Sequence, residues 1–162
     1  MQRTRIKICG VSDVPTALVA AESGADAIGL VFVNRSPRQV YFKQARRIVE
    51  ALPAFVDPVA LFVDAPCDKI QRTVVQLGIG TVQLHGEEGP EQVRELVPLH
   101  VIKAMAFDSD DVTDRLEFWR AGHSHLAALL WDTPPPRGGQ QPALPGGSGQ
   151  SFDWHALAAL KE

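Results

Sequence analysis

Short β-branched runs alternate six times with longer amphipathic segments along the 162-residue chain, which is the pattern of linked βα units and places the protein in the α/β class. Strands joined by helices run parallel, because each right-handed crossover returns the chain to the same end of the sheet, and the loops that follow the strands gather at one rim. Both an open doubly wound sheet and a (β/α)8 barrel meet this condition, and both carry their chemistry at that rim. Polar residues inside otherwise apolar strands select between them: Lys7, Gln83, His85, Lys103 and Asp132. A sheet covered on both faces favours near-continuous apolar strands, whereas alternating polar side chains suit a barrel interior near its mouth. The expectation is a TIM-barrel type fold, with residues 1–162 forming a single domain.

The first strand candidate, Arg5–Cys9, ends at Gly10, with Ile6 and Ile8 directed under the helices and Lys7 and Cys9 directed inward. Helix Asp13–Ser23 follows: Ser12 or Asp13 caps it, Pro15 suits its opening turn, and Val14, Ala17, Leu18 and Ala21 share one face. Gly24 stands where a left-handed residue ends a helix. Strand Ala27–Val33 and helix Lys43–Leu52 form the second unit, and strand Val59–Asp64 opens the third. Pro66 and Gly78 bracket helix Pro66–Leu77, whose buried stripe is Ile70, Val74 and Leu77. The remaining strands are Thr81–His85, Val101–Met105 and Leu126–Asp132, and the remaining helices Glu88–Val97, Asp110–Ala121 and Asp153–Leu160.

A net charge of −3 with scattered Lys and Arg gives no electrostatic footprint for nucleic acid or an anionic membrane. The longest apolar runs, such as Ala25–Val33, stop well short of the roughly 20 residues of a membrane span, so the expected location is the cytoplasm. Cys9 and Cys67 read as thiols rather than a disulfide, and neither has metal-ligand spacing with a partner. His123-Ser124-His125 resembles a metal clip but lacks a third ligand nearby, so no metal site is expected.

Candidate chemistry collects at strand ends. Cys9 closes the first strand, and the ammonium of Lys7 on the same face favours a thiolate there, whereas Cys67 beside Pro66 reads as structural. Lys103 is expected to point inward in the same way. Asp132 closes an apolar run with no helix directly behind it to cap. A thiolate and a carboxyl group on different strands supply a base and an acid for moving protons between two atoms of one substrate. Arg38, after the second strand, can hold a carboxylate or phosphate through a forked pair of bonds, and His85 ends the fourth strand. The stretch Pro134–Gly149 exceeds the usual βα connection of about 2–6 residues and reads as a lid or a linker; its Gly146–Gly149 cluster either brings amides near an anion or is simply flexible.

Taken in order and spacing, Lys7-Ile8-Cys9-Gly10, Ser23–Gly29, Ser36-Pro37-Arg38, Val82–Gly86, Leu130–Thr133 and Gly146–Trp154 closely resemble the phosphoribosylanthranilate isomerases of tryptophan biosynthesis. The resemblance implies an Amadori rearrangement of N-(5-phosphoribosyl)anthranilate to 1-(o-carboxyphenylamino)-1-deoxyribulose 5-phosphate, with no metal or organic cofactor. It further implies Cys9 as general base, Asp132 as general acid, Arg38 as the group meeting the anthranilate carboxylate, His85 lining the mouth, and Gly147 and Gly149 beside the substrate. Family members carry two more βα units, whose loops hold the phosphate. The chain accordingly reads as six of eight units, C-terminally truncated. The alternative reading is a non-catalytic remnant that self-associates through open sheet edges or needs a complementing C-terminal part. The indole-glycerol-phosphate synthases use a lysine acid where these motifs place Cys9 and Asp132.

Overall fold

The computed structural model describes residues 3–34, 36–120, 126–134 and 151–158. Among the described residues twelve elements alternate: β1 (Lys7–Cys9), α1 (Val14–Glu22), β2 (Ala27–Val31), α2 (Phe42–Ala51), β3 (Asp57–Phe62), α3 (Cys67–Leu77), β4 (Thr81–Leu84), α4 (Pro90–Glu95), β5 (His100–Ala106), α5 (Val112–Arg120), β6 (Leu126–Asp132) and α6 (Trp154–Ala158). Every expected strand and helix is present, with ends moved by a few residues.

The local signals act as the sequence suggests. Asp13 caps α1, its carboxylate accepting from the Thr16 N–H at 2.8 Å, and Gly24 takes a φ of 94° just beyond the helix. Gly78 ends α3 in the left-handed region, while Ile70, Val74 and Leu77 face the core.

All six strands pair in parallel in the order β1-β2-β3-β4-β5-β6. A doubly wound sheet reverses its strand order at a switch point. No reversal occurs here, so each strand adds to the same side of its predecessor and the sheet curls as the wall of a TIM-type barrel.

The register sorts the side chains into two layers. Ile28, Leu30, Ala60, Phe62, Val82, Leu84, Val101 and Met105 join Ile48, Ile70 and Val74 of the helices in one buried layer. Val31, Leu61, Gln83, Leu130 and Asp132 alternate with these and line the opposite face. Phe152, which precedes α6, stacks on Phe107 after β5 with ring centroids 4.7 Å apart, seating that segment beside the barrel mouth.

Two expectations are corrected. Lys103 does not point into the barrel: it is in register with Leu84 and Leu129, shares parity with Val101 and Met105, and lies on the helix side. Ile6 and Ile8 are not packed under helices but are 45% and 41% exposed, because β1 is an edge strand and no described element covers that face of it. Among the described residues no helix is long and apolar enough to cross a membrane. The His123–His125 pair and most of Pro134–Gly149, Gly147 and Gly149 included, lie outside the described residues.

Candidate active site

At the carboxyl ends of the strands the sheet encloses a cavity of about 820 Å³, within the range of small-molecule sites. Cys9 from β1, Arg38 from the loop after β2, His85 from the end of β4 and Asp132 from the end of β6 all line it. Lys7 and Gln83 line it too, so four of the five polar residues used to argue for a barrel interior face inward. Gln83 is 2% exposed, and its Oε1 has no hydrogen-bond partner among the described residues.

Each side chain has a local reason for its place. Cys9 is in register with Gly29 of β2, and a Cβ built there would lie 2.7 Å from the Cys9 Sγ. The bare Gly29 backbone thus makes room for the thiol. Gly10 follows with a φ of 84°, and its N–H donates to the Gly29 carbonyl at 2.9 Å, which turns the chain off the strand. Arg38 lies across that turn, so close that any Cβ at Gly10 would overlap its side chain. The Arg38 N–H donates to the Ser36 Oγ at 3.2 Å, holding the loop that delivers the guanidinium over β1.

Both oxygens of the Asp132 carboxyl group are engaged. Oδ1 accepts from the Thr133 N–H at 2.8 Å, and Oδ2 lies 3.1 Å from the His85 Nε2. Burial is the main influence on His85 and holds its pKa below the ordinary histidine value; the facing Asp132 opposes this and Lys103 adds to the lowering. A neutral imidazole at physiological pH makes its contact with Asp132 a hydrogen bond rather than an ion pair.

Behind the sheet, Lys103 Nζ and Glu88 Oε2 form an ion pair at 2.8 Å, with side chains 4% and 1% exposed. The Glu88 carboxylate also accepts from the Gly86 N–H at 2.7 Å and the Asp64 N–H at 2.8 Å, and the Lys103 ammonium donates to the Gly86 carbonyl. Removing one partner of such a pair costs about 3–5 kcal/mol, since it strands a charge away from water. Sequence reading placed Glu88 only at the start of a helix candidate and gave it no role in the site. Lys103 shares parity with Val101 and Met105, but Ile102 on the other parity is equally apolar, so the strand's sequence did not single out its face.

The N-(5'-phosphoribosyl)anthranilate isomerase family model matches residues 6–162. The chain belongs to this family. An N-(5'-phosphoribosyl)anthranilate isomerase of Geobacter sp. (strain M21) is 41% identical over 160 residues, covering 98% of this chain and 72% of that relative. The phosphoribosylanthranilate isomerase of Thermotoga maritima superposes with a TM-score of 0.83 at 35% identity, covering 98% of this chain and 72% of that one. A further isomerase structure, in complex with reduced 1-(o-carboxyphenylamino)-1-deoxyribulose 5-phosphate, aligns with a TM-score of 0.74 at 37% identity, over 81% of this chain and 66% of that chain. The isomerase fold thus accounts for the unreversed strand order, and the cavity lies where a TIM-type barrel places its chemistry.

Proposed function

We propose that this isomerase converts N-(5-phosphoribosyl)anthranilate to 1-(o-carboxyphenylamino)-1-deoxyribulose 5-phosphate with Asp132 as general acid and Cys9 as general base. Protonated Asp132 donates to the furanose ring oxygen, and the C1–O bond breaks as the anilino nitrogen supplies its electron pair. The resulting iminium withdraws electrons from C2 and acidifies its hydrogen. Cys9, as thiolate, removes that proton, and the C2–H electrons form the enolamine, which tautomerises to the ketone. Atoms are conserved and no net oxidation occurs, so the rearrangement is internally balanced without a redox cofactor.

The observation that carries this reading is the convergence of Cys9 and Asp132, from opposite ends of the described sheet, on one cavity. In support, Arg38 lies beside the Cys9-Gly10 turn, and a planar guanidinium suits a forked bond to the anthranilate carboxylate. His85, 3.1 Å from Asp132, is the proposed partner of the acid. A phosphosugar is the substrate class; Gly147 and Gly149 are assigned to its surroundings by family resemblance alone.

Steady-state turnover of the purified chain tests the assignment. Cys9→Ala and Asp132→Asn are each expected to lower kcat by about 10²–10⁴-fold, the usual contribution of a positioned acid or base. Arg38→Met is expected to act mainly on KM. Wild-type kcat in either of the first two variants would remove that residue from its role.

A further inference from the structure

Glu88 and Lys103 do not line the cavity, yet besides their mutual contact their three hydrogen bonds end on Asp64 and Gly86, in the loops after β3 and β4. We propose that the Glu88–Lys103 pair is a positioning device for the catalytic acid, acting through Gly86 and His85. The inference rests on the reading of Asp132 as that acid.

The route is continuous. The His85 N–H donates to the Phe62 carbonyl at 2.9 Å, which fixes the backbone on one side of its Cα. The next peptide N–H, that of Gly86, is held by Glu88 at 2.7 Å, and the Gly86 carbonyl is held by Lys103. With both flanking peptides clamped, only the two side-chain torsions of His85 remain free, and the 3.1 Å contact with Asp132 uses them. The second Glu88 oxygen ties in the Asp64 N–H, so the β3 and β4 loops are fixed to β5 as one block. A displacement of about 1 Å at a reacting group can cost roughly a hundredfold in rate, which sets the scale of what such a clamp protects.

The ion pair replaces what a plain loop does not provide. Gly86 lies after the last residue of β4 and has no sheet ladder to hold it. Its lack of a side chain is also required, because a Cβ there would run into the Asp64 carboxylate. The clamp is therefore closed by backbone on one side and by a buried charge pair on the other.

The double variant Glu88→Gln/Lys103→Met tests this without stranding a charge. Asp132, Lys103 and Glu88 are the charged groups acting on His85, with Lys103 and Glu88 acting in opposite directions. Removing both takes away two opposing influences on the imidazole, and Gly86→Ala, which keeps both charges, shows whether a changed NMR titration reports movement. The expected result is a folded protein by circular dichroism, kcat reduced about 10–100-fold, KM within about threefold, and His85 titrating closer to an ordinary histidine. Wild-type kcat, or a loss of kcat with the His85 titration unmoved, would overturn the proposal. Should the double variant fail to fold, Gly86→Ala decides: it displaces the same residue through Asp64 with both charges kept, and wild-type kcat there would equally overturn it. Asp132→Asn separates the two readings. If that variant turns over normally the acid assignment fails, while the His85 titration still reports whether the pair seats the imidazole.

Discussion

The His85 Nε2 reaches the Asp132 Oδ2 at 3.1 Å although β5 runs between their strands. The contact is possible because β5 turns small side chains inward at that height: Ala106 is in register with Asp132, and Ala104 with Leu130. Larger residues at those positions would fill the space through which the imidazole crosses to β6.

Burial that keeps His85 neutral links folding to pH. Its folded pKa is lowered from the ordinary 6.5, so the unfolded chain takes up this proton first as pH falls. The stabilisation is therefore fully present above about pH 6.5 and is lost as the pH drops through the lowered folded value. Urea unfolding at pH 7.5 and pH 5 should show wild type losing more stability than His85→Gln, which keeps an amide nitrogen near the Nε2 position. Equal losses in the two proteins would contradict the assignment.

Gly29→Ala tests the room left for the thiol. The new Cβ would lie 2.7 Å from the Cys9 Sγ and 3.1 Å from the Cys9 Cα, and the second of these is backbone that cannot swing aside. Overpacking of this kind costs about 1–3 kcal/mol. We expect a lower urea midpoint together with a kcat loss of tenfold or more, and unaltered turnover would show that Gly29 does not set the thiol's position.

Gly10→Ala should act through Arg38. The substitution strains a φ of 84° and overlaps the Arg38 side chain, so about 1–3 kcal/mol of stability and much of the Arg38 contribution are lost together. In a double-mutant cycle, adding Arg38→Met to Gly10→Ala should raise KM by far less than Arg38→Met does alone. Fully additive effects on KM would separate the two residues.

Cys67 should be chemically quiet. Burial is the chief influence that pushes its thiol up to about 11, helped by Glu95 and Asp68. At pH 8 its thiolate fraction is then on the order of a hundredfold or more below that of a free cysteine with a pKa near 8.5. In a Cys9→Ala background, a thiol-disulfide exchange reagent should label the native protein slowly and the urea-unfolded protein rapidly. Fast native labelling would place Cys67 in a different environment.

Much of the fold is legible in the sequence, because the signals are local. Capping at Asp13, the left-handed glycines Gly24 and Gly78, and the 3.6-residue stripe of Ile70, Val74 and Leu77 each act within one or two turns of chain. The inward residues of the site were legible for a similar reason. Lys7, Cys9, His85 and Asp132 sit at or near strand ends, and in parallel α/β folds that rim gathers them whatever the detailed packing.

Lys103 marks where local reading ends. A strand buried on both faces alternates between two apolar environments, so parity alone does not say which set of side chains faces the helices and which the barrel. Sequence by itself determined the βα rhythm, the order of the elements and the chemical types available at the rim. Tertiary structure decided that Lys103 meets Glu88 behind the sheet, that Arg38 folds over Gly10, and that His85 crosses β5 to Asp132. Those contacts join residues on different elements, and their geometry follows from strand register and sheet curvature, properties that no single segment of the chain carries.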